Sequence, residues 1–149
     1  MKIPEKLNAP LRMAIVSMII CGLVFPVAVT GIAELAFPFQ ANGEQATFNN
    51  TSIGSYLIAQ EFTAPVFFHP RNDSASGVDP DITLSSAYAQ IPGISNSTGI
   101  SSSILHGIVD NFVSYTMFFF GTPYINVLQV NLYLVEHYSS VYSKYVKAG

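Results

Sequence analysis

The chain has 149 residues, half of them hydrophobic and 10% charged, with six Lys and Arg against nine Asp and Glu. Soluble domains carry about 25% charged residues, so the composition excludes a disordered chain and a coiled coil, and the acidic balance excludes the basic face that nucleic acid requires. The single cysteine excludes an internal disulfide and a multi-cysteine metal site. A membrane-attached protein or an unusually apolar small domain remains.

Residues 1–12 carry Lys2, Lys6 and Arg12 against Glu5. Residues 13–33 carry no charge. A helix of that length is about 31 Å long, close to the hydrocarbon thickness of a bilayer. Pro26 lies inside it and predicts a kink. After residue 33 the balance reverses: from Glu34 to Ser143 there are eight acids and one basic residue, Arg71. This asymmetry predicts a single-pass cell-membrane protein with a cytoplasmic N-terminus at 1–12, a span at 13–33 and an extracytoplasmic domain at 34–149. A cleaved signal peptide is the competing reading, with Gly31-Ile32-Ala33 as the cleavage site, but its apolar core is usually about 7–15 residues.

Pro38 in Phe37-Pro38-Phe39 should stop the first helix, and Asn42-Gly43 reads as a turn in a polar stretch running to Asn50. Short strands are expected at 53–58 and 65–68, and a loop at 71–80. A short helix over 83–90 should stop near Pro92-Gly93, leaving 94–103 as a mobile surface loop. Ser102 or Ser103 looks like the N-cap of a helix whose apolar face is Ile104, Leu105, Ile108, Val109, Phe112 and Tyr115.

Residues 111–135 form a second uncharged run. Gly121-Thr122-Pro123 reads as a turn near its middle, and Asn126, Gln129 and Asn131 would be costly in lipid. The run is therefore expected to be buried helix–strand–helix core, with a strand at 124–127. A last helix should follow, with Leu128, Leu132, Val135, Tyr138 and Tyr142 on one face and Lys144 and Lys147 near its end. The fold class is α+β: one N-terminal transmembrane helix followed by a small exterior domain of short strands and helices.

Chemistry is sparse. The histidines stand at 69, 106 and 137 without metal-ligand spacing, and no nucleophile elbow, dinucleotide fingerprint or phosphate loop occurs. His106 and Asp110 share a helix face and read as a surface pair. Asp79 and Asp81 could be a carboxylate pair; alternatively Asp79-Pro80 starts a turn and Asp81 sits near a helix start. Glycosylation sequons start at Asn49, Asn50, Asn72 and Asn96. These residues provide no catalytic set and no metal site.

Five blocks in order resemble the KdpC family, the C subunit of the Kdp potassium-transporting ATPase. Residues 37–43 (FPFQANG) resemble its "FPxQANGS", and residues 54–62 (GSYLIAQEF) its "GSxLIGQxF". Residues 67–71 (FFHPR) stand where the family has "YFxxRP". Ser76-Gly77-Val78-Asp79-Pro80-Asp81-Ile82, followed by Ala87, Gln90, Ile91 and Pro92, resembles "SGLDPxI…A…QIPR". Residues 121–131 (GTPYINVLQVN) resemble "GxPxVNVLxLN". The chain departs by lacking the family's long loop between Arg71 and Ser76, and by having Gly93 in place of the Arg.

The resemblance implies a non-catalytic subunit of an ATP-driven K+ importer. Its partners would be the K+-translocating subunit KdpA, the P-type ATPase subunit KdpB and the small subunit KdpF. It further implies a catalytic chaperone that raises the ATP affinity of the pump, with Gln90, Ser76 and Gly77 as candidate nucleotide contacts and ATP as the possible cofactor. Gln90 has a second reading, as a buried amide tying a loop to the domain. The acidic excess of the exterior domain could also concentrate K+ at a pore mouth without selecting it. A free-standing membrane-anchored binding or adhesion module is the alternative function. A secreted hydrolase would need a nucleophile set that the chain does not supply.

Overall fold

The computed structural model describes residues 5–71, 79–117 and 120–145. They belong to two compact units, Met1–Glu44 and Gln45–Gly149.

The first unit is helical. Helix α1 (Glu5–Ile19) passes through a π-helical turn (Ile20–Val24) into α2 (Phe25–Ala36). The N–H of Phe25 reaches back five residues to the carbonyl of Ile20. Pro26 explains the widened turn, because it brings no N–H and its ring collides with the carbonyl four residues back. The predicted disturbance at Pro26 therefore takes the form of a π turn just before it. Residues Asn8–Ala36 form one helix with a mean hydropathy of 2.4 over its most apolar window and none of that window buried, the only such helix among the described residues. It is longer than the 13–33 expected from charge alone. Phe37 leaves helical geometry, Pro38 opens the four-residue helix α3 (Pro38–Ala41), and Gly43 turns the chain with φ at 75°.

The second unit begins with a hairpin. Strand β1 (Gln45–Phe48) pairs antiparallel with β2 (Thr51–Ser55). Asn49 and Asn50 both take positive φ, 49° and 62°, which suits the tight turn that matches strand twist. The polar stretch ending at Asn50 is thus half strand, and β2 starts two residues earlier than the strand expected at 53–58.

The main sheet has the order β3-β5-β4, from β3 (Asp81–Thr83), β4 (Ser114–Met117) and β5 (Phe120–Asn126), all antiparallel. Gly121-Thr122-Pro123 lies inside β5 and is not the expected turn. Proline is tolerated there because residues 120–123 pair with β4 alone, while β3 pairs with residues 124–126. Gly121 has φ at 117°, and a Cβ there would sit 3.1 Å from that of Thr116, beside the irregularity in β4.

Helix α4 (Leu84–Thr98) is twice the expected length. Pro92 does not stop it, because Ala87, Ile91 and Ile94 form one buried stripe that carries the helix past the missing N–H. Thr83 caps its start, and left-handed Gly99 ends it. The supposed mobile loop at 94–103 is therefore mostly helix, with Ile94 and Ile100 in the core. Ser101 caps α5 (Ser102–Asn111), one residue before the expected candidates. This helix buries Leu105, Ile108 and Val109 but ends before Tyr115, which is in β4. Asn126 caps α6 (Val127–His137), and Tyr138 breaks the chain before α7 (Ser139–Tyr142). The main core joins Phe68, Ile82, Ile91, Leu105, Ile125 and Leu134; a smaller cluster joins Ala46 with Leu128 and Leu132 of α6.

Candidate functional site

The expected strand at 65–68 is irregular chain, yet Val66, Phe67 and Phe68 are buried. Buried main chain without a ladder must find other partners. The N–H of Phe68 donates to Asn131 Oδ1 at 2.8 Å, and Asn131 Nδ2 donates to the Phe68 carbonyl at 2.9 Å. The next residue repeats the pattern: His69 N–H donates to Gln90 Oε1 at 2.8 Å, and Gln90 Nε2 donates to the His69 carbonyl at 3.2 Å.

Extended residues turn their N–H and C=O to alternate sides. Here α6 serves one residue through Asn131 and α4 serves the next through Gln90. Two side-chain amides do the work of two neighbouring strands. Tyr142 Oη donates to the Val66 carbonyl at 2.9 Å, and His69 Nδ1 donates to the Phe62 carbonyl at 2.6 Å. Burial pushes the Tyr142 phenol up to about 12. Asn131 is 2% exposed and both ends of its amide are used, so it is a satisfied core amide.

A second constraint joins β2 to the loop after it. A Cβ on Gly54 would lie 2.6 Å from Gln60 Cδ, and Gly54 has φ at 153°. Gln60 Nε2 donates to the Ile58 carbonyl at 3.1 Å. A methyl at Gly54 would push the end of the Gln60 side chain aside, at a backbone angle that strains any side chain.

Beside these residues lies an open cavity of about 650 Å³. Phe48, Phe62, Leu128 and Leu132 supply apolar wall, while Glu61 and Lys144 bring opposite charges to the lining. That combination suits an amphipathic group.

Of the predicted site residues, Gln90 is half-buried and bound at both ends of its amide to His69. One N–H and one lone pair remain to it. A triphosphate calls for cations or converging N–H groups; of the Gln90 amide, one N–H and one lone pair are committed to His69. Ser76 and Gly77 lie outside the described residues.

Asp79 Oδ1 accepts the N–H of Asp81 at 3.1 Å, the turn expected from Asp79-Pro80. Asp81 opens β3 and accepts from Asn126 Nδ2 at 3.1 Å, so it is a strand residue and not a helix-start charge. Burial raises its carboxyl, Asn126 opposes that rise and Asp79 adds to it. His106 and Asp110 are joined by Tyr88, whose hydroxyl donates to Asp110 and whose ring meets the imidazole edge-on at 4.6 Å. No group of three or more His, Cys, Asp or Glu side chains gathers among the described residues.

Sequence reasoning missed Asn131 as a partner of Phe68. The available signal was an amide amid Val130, Leu132 and Leu134, where an unbonded polar group would be expensive.

A family model described as the K+-transporting ATPase c chain matches residues 7–75 and 72–136. The two matches meet where the long loop was found wanting. The chain is 27% identical to a "Potassium-transporting ATPase KdpC subunit" of Caldanaerobacter subterraneus, over 89% of this chain and 95% of the relative. It is 28% identical to one from Clostridioides difficile, over 86% and 95%. A Caulobacter relative is 30% identical, over 81% and 90%. The first alignment runs over 184 positions, more than the 149 residues present, so that relative carries segments this chain lacks. The clamp draws on three of the five blocks: Phe68 and His69 from the third, Gln90 from the fourth and Asn131 from the fifth. With the family model covering most of its length, this chain belongs to the KdpC family.

Proposed function

We propose that this chain is the non-catalytic subunit of an ATP-driven potassium importer. Residues 8–36 hold it in the cell membrane, and the domain from Gln45 onward stands outside and supports the K+-translocating subunit KdpA, the ATP-hydrolysing subunit KdpB and the small subunit KdpF. The observation that carries this reading is the family match from residue 7 to residue 136. The charge asymmetry across the apolar helix supports the orientation. The test is K+ uptake at low external K+ in cells lacking their own C subunit. Expression of this chain with its cognate pump subunits restores uptake; restoration that needs only the other subunits refutes the assignment.

The finer role is to raise the ATP affinity of the pump. Gln90 serves that role indirectly, as a positioning residue that fixes the His69 segment, and ATP need not touch it. Its hydrogen bonds to both main-chain groups of His69 support this version over direct contact through Gln90, Ser76 and Gly77. Gln90→Ala and Asn131→Ala separate the two. An indirect role predicts that both variants weaken the apparent ATP affinity of the assembled pump. A change confined to Gln90→Ala, with Asn131→Ala equal to wild type, identifies direct contact.

A further inference from the structure

The open cavity beside Asn131 is built wholly within the second unit, from described residues alone. Helix α6 lines it with Leu128, Leu132 and Val135, and the chain after β2 adds Phe62 and Phe67. The rings of Phe62 and Phe67 lie 5.2 Å apart, and Tyr145, also in the lining, meets Phe67 edge-on at 6.2 Å. Rings that brace one another leave a lining set before any ligand arrives.

Two charges join this apolar lining, Glu61 and Lys144, and both residues are exposed. Neither forms an ion pair with the other or with any charged side chain among the described residues. The Lys144 ammonium lies 4.9 Å from the centre of the Tyr145 ring. We propose that this cavity binds a small amphipathic zwitterion, with an apolar body, one cationic end and one anionic end: the chemistry of a short apolar peptide with free termini. Lys144 takes the anionic end and Glu61 the cationic end, while the body lies among Phe62, Phe67, Leu128 and Leu132. The volume of about 650 Å³ falls within the span of small-ligand sites, roughly 300–1,000 Å³. A simple anion would be repelled by Glu61 and a simple cation by Lys144, and a polyanion needs more than one ammonium. The site needs neither the membrane span nor the pump subunits, so its test stands apart from theirs.

The probe is the dipeptide leucylphenylalanine, with its N-acetylated and C-amidated forms. The full chain, methyl-labelled at Leu and Val, is held in phosphatidylglycerol nanodiscs, which offer no zwitterionic lipid. Methyl spectra follow Leu128, Leu132 and Val135, with Leu105 of the main core as reference. The proposal predicts saturable shifts at the α6 methyls and none at Leu105. Glu61→Gln weakens the free dipeptide about threefold and leaves the N-acetylated form unchanged; Lys144→Gln weakens the free dipeptide similarly and leaves the C-amidated form unchanged. Both residues are exposed, so neither variant disturbs folding. No saturable shift up to about 10 mM dipeptide overturns the proposal. Variants that weaken free and blocked forms equally, or not at all, reveal an apolar cavity that does not read charge, and overturn it. Shifts at the α6 methyls on exchanging phosphatidylglycerol for phosphatidylcholine, with no dipeptide present, give the site to lipid and overturn it. Dipeptide binding that disappears in the assembly with the other pump subunits gives the cavity to a protein partner, with the same consequence.

Discussion

Residues 13–33 and residues 111–135 are the two long uncharged runs of the chain, and they have opposite fates. The first lies within one continuous helix whose most apolar window has no buried residue. The second becomes the end of α5, two strands and most of α6, with Ile125, Val130 and Leu134 fully buried. Absence of charge does not separate them. Polar punctuation does. The first run contains one proline, absorbed by a π turn, and no side-chain amide. The second contains four amides: Asn111 ends α5, Asn126 caps α6 and reaches the Tyr56 carbonyl, Gln129 is exposed, and Asn131 clamps Phe68. Buried amides need fixed partners, which a folded domain supplies and hydrocarbon does not.

The contrast breaks most readily at Asn131. Replacing it with Ala strands the N–H and carbonyl of Phe68 in the core, and should cost about 3 kcal/mol. Chemical denaturation of the full chain in detergent, followed by tyrosine fluorescence, measures that loss. A loss under about 1 kcal/mol would show that the clamp does not hold the domain. Gly54→Ala comes next. Its methyl would overlap Gln60 Cδ at a backbone angle that disfavours side chains, for about 2 kcal/mol in the same assay. The double variant Gly54→Ala, Gln60→Ala should recover part of it.

Tyr142→Phe is the smallest effect, about 1 kcal/mol at neutral pH for the bond to Val66. It also carries a pH signature. The folded state raises the phenol from 10.0 to about 12, so the folded chain holds that proton more tightly than the unfolded one. Its contribution is complete below pH 10 and is lost as pH rises towards 12. The fall in stability over that window should be shallower in Tyr142→Phe than in wild type, with Tyr56 and Tyr88, also raised, supplying a remainder.

The sequence showed the apolar helix, the α+β class, the Pro38 stop, the Asn42-Gly43 turn and the apolar faces of α5 and α6 because each is a local pattern. Elements set by distant contacts escaped it. Pro92 reads as a stop until the Ala87, Ile91 and Ile94 stripe finds its core, and Gly121-Thr122-Pro123 reads as a turn until β4 pairs with it. Residues 65–68 have strand composition, but their partners are side chains from two helices. Gln90 was legible as an amide that ties a loop; its partner, His69, was not. The family blocks had no evident physical meaning along the chain. Folded, three of them meet at Phe68 and His69, and the second contains both Gly54 and Gln60.

The central claim is that this chain works inside a potassium pump. Purification of the tagged full chain from host membranes in mild detergent, with identification of the co-eluting chains, tests it most directly. The account predicts recovery of a P-type ATPase together with a large multi-span protein. Elution of the chain alone, from membranes in which both of those proteins are present, would contradict it.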